Sequence, residues 1–212
     1  MAAARGPRLV FATANPHKIR ELEAILAPVL GGQEAIRGMV APMSAFGAES
    51  PVEDGATFTE NSLIKARALC AATGLPAVAD DSGLAVDIMG GAPGIFSARW
   101  SGRHGDDQAN LELLLAQLAD VPDALRGAAF VSAAVLVLPD GREFTELGSV
   151  HGTLLRAPRG TGGFGYDPIF VPDGHARTTA EMTPEQKNAL SHRGIAFRAL
   201  APTIVDVLTT AS

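Results

Sequence analysis

Apolar positions return along this chain in two rhythms, one of strands and one of helices. Arg8 to Thr13 contains the continuous run Leu9-Val10-Phe11-Ala12, which has the length of a buried strand. It stops at Ala14-Asn15-Pro16. Asn15 suits an N-cap and Pro16 the first helical position, where the missing N–H costs nothing. Ile19, Leu22, Ile25 and Leu26 then share one helical face and predict a helix that ends near Pro28. Residues 31–56, rich in Gly, Pro and Ala, predict a mixture of short strand and loop.

Thr57 opens the next helix, with Glu60 as its capping-box partner and Phe58, Ile64, Ala68, Leu69 and Ala72 as apolar positions; Gly74 closes it. Leu75 to Ala79 predicts a short strand running into Asp80-Asp81-Ser82-Gly83, and Gly90 to Gly94 a turn. A helix follows over about Asp107 to Leu118, with the leucines at 111, 114, 115 and 118 inward. Ala128 to Leu138 and Glu143 to Val150 read as strands of a hairpin around Pro139-Asp140-Gly141. A glycine-rich loop, Gly160 to Gly165, precedes a strand through Ile169-Phe170-Val171. Thr183-Pro184-Glu185-Gln186 starts another capped helix, and a last helix follows Ser191. Crossovers together with a hairpin predict an α/β fold with a mixed sheet.

Composition narrows the picture. The 212 residues suffice for one domain or one two-lobed unit, and 47% hydrophobic with 19% charged residues fits an ordinary globular chain. A net charge of −6 argues against a nucleic-acid polymer or an anionic membrane as partner. A local basic cluster can still hold a small anion. Cys70 is the single cysteine, so no internal disulfide forms, which suits a reducing cytoplasm. MAAARGPR lacks the apolar centre of a signal peptide, and no apolar run approaches the roughly 20 residues of a spanning helix. The expectation is a cytoplasmic protein that keeps off membranes.

Five segments carry candidate chemistry. Thr13-Ala14-Asn15-Pro16-His17-Lys18 turns a strand into a helix, and such a turn offers backbone N–H groups and the positive end of the helix dipole to a phosphate. Lys18 adds a cation, while Thr13 and Asn15 add hydrogen bonds. The segment matches neither a Walker loop nor GxGxxG, and a capped helix with a surface lysine accounts for the same residues. On the helix from Thr57, Asn61 and Lys65 share a face, with Glu60 about 100° round from Asn61. That face can offer a carboxylate, an amide and an ammonium to a metal–polyphosphate complex; capping alone also explains Glu60, and solvation Lys65.

Asp80-Asp81-Ser82-Gly83 follows a strand of small apolar residues. Two carboxylates there cost desolvation unless a cation or hydrogen bonds compensate. Neighbours in an extended strand face opposite ways, so both reach one ion only if the chain turns, which Ser82-Gly83 would permit. The expectation is a turn holding Mg2+, with one Asp orienting a water or accepting its proton; an Asx-turn is the structural alternative. In Gly160 to Asp167, four glycines in six positions let backbone approach a ligand. Aromatic rings in that frame can stack on a base, and Asp167 can read its edge. Finally Lys187 and Ser191-His192-Arg193-Gly194 stand at a joint between helices, where Arg193 is a fixed fork of donors for a purine O6 or a phosphate. Singly, each also reads as a helix-end charge.

The blocks FTENSLIKA, ADDSGLAVD, GGAPGIFSARWSG, GTGGFGYDPIF and SHRG, in this order, resemble the inosine triphosphate pyrophosphatase family of house-cleaning nucleotide hydrolases, over about Leu9 to Leu200. The resemblance implies a single domain over 1–212 with an elongated, two-lobed α/β fold: a central mixed β-sheet flanked by helices, and a substrate cleft between the lobes. It implies a Mg2+-dependent homodimer that converts deaminated purine nucleoside triphosphates (ITP, dITP, XTP) to the monophosphate and pyrophosphate. Thr13, Ala14, Asn15, Pro16, His17 and Lys18 would then hold the triphosphate, assisted by Lys65. Asp81 would accept the proton and bind metal, and Ser82 would touch substrate. Phe164, Gly165, Tyr166 and Asp167 would hold base and sugar, Phe164 by stacking, with Lys187, His192 and Arg193 completing base and phosphate contacts. The family's metal-binding glutamate falls on Glu53 or Glu60, and Asp80 is a further candidate ligand.

On this expectation a water near Asp81 attacks the α-phosphorus, and Lys18 and Lys65 help hold the departing pyrophosphate. A buried arginine donor facing O6 would be left facing the N6 donor of adenine, an unpaired contact costing about 1–3 kcal/mol. That disfavours ATP without excluding GTP. Two other readings compete: a Maf-like pyrophosphatase for other modified nucleotides, and a non-catalytic nucleotide-binding module, which leaves Asp80-Asp81 without a purpose. A haloacid-type phosphatase would need a DxD strand end, which ADDSG does not supply.

Overall fold

A computed structural model of the chain describes residues 6–210, apart from the side chains of His17 and Pro184. Six strands form one mixed sheet in the order β2-β1-β3-β4-β5-β6. They are β1 (Leu9–Phe11), β2 (Val40–Pro42), β3 (Ala77–Val86), β4 (Gly127–Val137), β5 (Glu143–Leu154) and β6 (Phe170–Pro172). The helices are α1 (Pro16–Leu30), α2 (Gln33–Ile36), α3 (Phe58–Thr73), α4 (Asp107–Gln117), α5 (Pro184–Ala189) and α6 (His192–Thr210). β1 runs parallel to β2 and β3, with Val10 opposite Ala41 and Ala77. β5 and β6 run antiparallel, with Thr153 opposite Val171. This is the mixed, helix-flanked α/β sheet that the patterning predicts.

The chain divides into two compact units. One takes the described parts of Met1–Asp81, Ala133–Gly148 and Arg193–Ser212, the other Ser82–Ser132 and Ser149–His192. The first unit has three layers, and strand alternation dictates them. Leu9, Phe11, Val78, Ala134 and Leu136 face one side and pack with Leu22 and Leu26 of α1 and with Phe197, Leu200 and Ile204 of α6. Phe11 meets Phe197 edge-on at 5.4 Å. Val10, Ala77, Ala79, Val135 and Val137 face the other side, against Ala66, Leu69 and Cys70 of α3. In the second unit Leu84, Val86, Ala128, Leu154 and Phe170 from the strands close over Leu111, Leu114 and Leu118. Arg126 is buried there and donates to three carbonyls: Leu118 at 2.7 Å, Leu154 at 2.9 Å and Leu155 at 2.8 Å. It ties the end of α4 to the end of β5, and charge-assisted bonds offset part of its desolvation.

Local signals mostly lie where the sequence puts them. The Thr57 hydroxyl accepts from the Glu60 N–H at 3.1 Å, and Gly74 closes α3 in the left-handed region with its N–H on Cys70 O. Leu138 N–H to Arg142 O and Gly141 N–H to Leu138 O, both 2.9 Å, close the hairpin turn. α1 ends at Leu30, close to the Pro28 expected to mark its end. One expectation is corrected: β3 does not turn at Asp80 but runs ten residues, from Ala77 to Val86. Gly83 lies within the strand because a Cβ there would stand 2.5 Å from both Gly94 O and Ser97 Oγ. Ser97 fastens this crossing, accepting from the Leu84 N–H at 2.9 Å and donating to Gly94 O at 2.6 Å.

Candidate active site

Because β3 stays extended, its two aspartates point to opposite layers of the first unit. Asp80 shares the parity of Val78 and faces the α1 and α6 layer; Asp81 shares that of Ala77 and Ala79 and faces α3. Lys18 of α1 holds both Asp80 oxygens at 2.9 Å, and Arg193 of α6 donates from Nε to Oδ2 at 2.8 Å. Asp80 is 2% exposed. Burial alone would push its carboxyl up, but Lys18 and Arg193 outweigh burial and hold it well below the usual carboxylate range. Burial in turn lowers Lys18, opposed in part by Asp80. Glu21, one turn beyond Lys18, stands 3.7 Å from Arg193. The turn feeding α1 is braced by Thr13, whose buried hydroxyl accepts from the Asn15 N–H at 3.0 Å. Ala14, Asn15 and Pro16 are exposed, and the side chain of His17 lies outside the described residues.

On the α3 face, Asn61 and Lys65 come side by side as their spacing requires, both buried. Asn61 Nδ2 donates to Asp81 Oδ2 at 3.2 Å while its Oδ1 accepts from the Gly55 N–H at 2.9 Å. Lys65 Nζ donates to Glu53 Oε2 at 3.1 Å and lies 3.6 Å from Asp81 Oδ1. One amide and one ammonium therefore clip the loop around Glu53 to Asp81. Gly55 permits this, since a Cβ there would meet Asn61 Oδ1 at 2.8 Å. Glu60 is exposed instead, its carboxylate accepting from the Ala56 N–H at 2.6 Å. Among the described residues no three His, Cys, Asp or Glu gather in a metal-holding group. Glu53 and Asp81 both approach the Lys65 ammonium, and their carboxylate oxygens are the hard donors that would take a divalent cation such as Mg2+.

In the second unit the glycine-rich loop closes on Asp167, which is 3% exposed. Its Oδ2 accepts from the Phe164 N–H at 2.8 Å and also from Lys187 Nζ; its Oδ1 accepts from Thr179 Oγ1 at 2.8 Å. Lys187 Nζ also lies 4.6 Å from the centroid of the Phe164 ring. That ring is 70% exposed, a large apolar face turned to solvent. Gly165 N–H donates to Asp107 at the start of α4, at 3.0 Å. Tyr166 is buried, with its hydroxyl donating to Ser97 O at 2.9 Å, and burial pushes that phenol up. Separately in this unit, His192 stacks on Phe130 at 5.3 Å with 15° between the rings. Ser82 is half-buried in β3.

Asn61 was expected as the amide of the α3 face, whereas Gly55, Glu21, Asp107, Ser97, Phe130 and Thr179 carried no expected role in the site. Gly55, just before the Thr57 cap, was the one with a local signal. The others act across long sequence separations.

The Ham1 family model matches residues 9–203. The chain is 58% identical to the dITP/XTP pyrophosphatase of Streptomyces coelicolor over 207 residues, covering 95% of this chain and 98% of that protein. It is 54% identical to the dITP/XTP pyrophosphatase of Corynebacterium efficiens over 206 residues, covering 94% and 98%. Among solved structures it matches a nucleoside-triphosphatase (dITP/XTP pyrophosphatase) from Mycobacterium abscessus with TM-score 0.76 and 52% identity, over 92% of this chain and 97% of that one. A HAM1 protein from Coxiella burnetii matches with TM-score 0.84 and 37% identity, over 94% and 99%.

Proposed function

The chain belongs to the Ham1 family, and from that membership and the geometry of its site we propose that it hydrolyses deaminated purine nucleoside triphosphates (ITP, dITP and XTP) to the monophosphate and pyrophosphate. Such an activity keeps aberrant purines out of nucleic-acid precursor pools. The observation that supports the chemistry most directly is the separation of the two aspartates. Asp80 is saturated by Lys18 and Arg193, whereas Asp81 stands beside Lys65 and near Glu53. Neither the Maf-like reading nor a non-catalytic module is favoured, since the matched relatives carry the pyrophosphatase name over nearly their full length.

Glu53 and Asp81 are the residues to hold Mg2+, which when bound supplies neutralising charge at phosphate oxygens. Asp81 orients the attacking water and accepts its proton as the bond to the α-phosphorus forms and the α–β anhydride breaks. Asn61 holds that carboxylate in place from α3. Lys65 and Lys18 offset the charge of the departing pyrophosphate, and the turn Thr13 to Lys18 supplies backbone donors to the triphosphate. Phe164 stacks on the base with Lys187 beside it, on a loop whose remaining residues, Gly165 to Asp167, set its shape. Arg193 and His192 complete the polar contacts, and Ser82 follows Asp81 on the same strand.

Product analysis with ITP and Mg2+ tests the proposal. Pyrophosphate and IMP in equal amounts are expected, with activity lost in excess chelator and restored by Mg2+. Orthophosphate alone would refute it. Asp81→Asn is expected to cut kcat by at least ~10²-fold with the fold intact by circular dichroism. A near-normal rate in that variant removes Asp81 from the mechanism.

A further inference from the structure

We infer that Thr179 is a positioning residue for base recognition, acting through Asp167 on Phe164 and Lys187; the inference rests on the proposed role of that loop. The carboxylate of Asp167 has two ends with different duties. Oδ2 faces the loop and gathers the Phe164 N–H and the Lys187 ammonium. Oδ1 faces away and takes the Thr179 hydroxyl at 2.8 Å. A carboxylate's terminal torsion is broad and two-fold, so a donor at one end alone does not hold its plane. The hydroxyl on Oδ1 is the second point that does.

Thr179 is itself well placed to serve as an anchor. It is 6% exposed and begins the short 3-10 turn Thr179–Glu181. The turn is closed by a capping box, with Glu181 accepting from the Thr178 N–H at 2.8 Å. Thr178 Oγ1 donates to Arg159 O at 2.8 Å, and Ala180 O accepts from the Gly162 N–H at 3.0 Å, so the turn is fastened to both the approach and the middle of the glycine-rich loop. A β-branched side chain adds a stiff χ1. The Thr179 hydroxyl has one proton and two oxygens of Asp167 in reach, the backbone carbonyl at 3.1 Å and the nearer, charged Oδ1. The charged acceptor makes the stronger bond.

Removing this hydroxyl loosens the platform that meets the base while leaving Asp81, Glu53 and Lys65 untouched, so binding weakens more than turnover. The test compares Thr179→Val, Thr179→Ala and Thr179→Ser with the parent for kcat and KM on ITP, alongside Phe164→Ala. Thr179→Val and Thr179→Ala are expected to raise KM about tenfold with kcat changed less than about twofold, and Thr179→Ser to restore both. The alanine variant, which puts no methyl against the Asp167 carboxylate, keeps the test alive if the valine variant fails to fold. An unchanged KM in the valine and alanine variants overturns the inference, as does an equal loss of kcat in all three including serine. A raised KM in Phe164→Ala shows the loop's part in binding independently. An unchanged KM in Phe164→Ala overturns the reading of the loop itself, and the inference with it.

Discussion

Asp80 and Asp81 are chemically identical neighbours held in opposite surroundings, and at the scale of the residue that contrast organises the candidate chemistry. Asp80 is a buried charge with two cations on it. Taking one partner from such a cluster costs about 3–5 kcal/mol, because the remaining charges lose their compensation. Its pKa is depressed in the folded chain, so the stability it contributes is full above the unfolded carboxyl value near 4 and is lost as pH falls below that. Asp80→Asn is therefore expected to lower unfolding stability by about 3–5 kcal/mol at pH 7. The deficit should begin to shrink below about pH 4, where the unfolded parent takes up a proton that the folded parent, with its depressed carboxyl, still refuses. Urea melts of both proteins from pH 7 to pH 3 check this, and a deficit independent of pH contradicts it.

At the scale of the element, the glycine-rich loop changes its meaning. Four glycines suggested backbone approaching a ligand, yet three of them are small because other parts of the protein press on them. A Cβ on Gly160 would meet Ala180 C at 2.7 Å, and one on Gly162 would meet Ala180 O at 2.9 Å. One on Gly163 would collide with the Asp167 carboxylate. Gly165 meets nothing and needs only its positive φ of 58°. Gly163→Ala thus combines a forbidden contact with a left-handed backbone, whereas Gly165→Ala carries the backbone strain alone, about 1–2 kcal/mol. Thermal melts should place Gly163→Ala clearly below Gly165→Ala. Equal melting temperatures would show that the close approach to Asp167 is not what requires glycine at 163.

At the scale of the whole molecule, the homodimer expected from the sequence resemblance is open to test: sedimentation should give about twice the 21.9 kDa chain mass, and a monomer at micromolar concentration would reject it. The order of residues by itself determined the element types, the caps at Thr57 and Gly74, the hairpin at Gly141 and the mixed α/β class. Those signals are local: helical and strand periodicities, a hydroxyl three residues from its N–H, a glycine at positive φ. It also carried the family, through five blocks whose joint order survives without coordinates. The division of labour between the aspartates was not legible, because Lys18 and Arg193 lie 62 and 113 residues from Asp80 and only packing brings them to one face of β3. A turn was the reasonable expectation for two adjacent carboxylates. The tertiary structure kept the strand straight instead, since cations on one face and Asn61 with Lys65 on the other compensate each carboxylate where it stands.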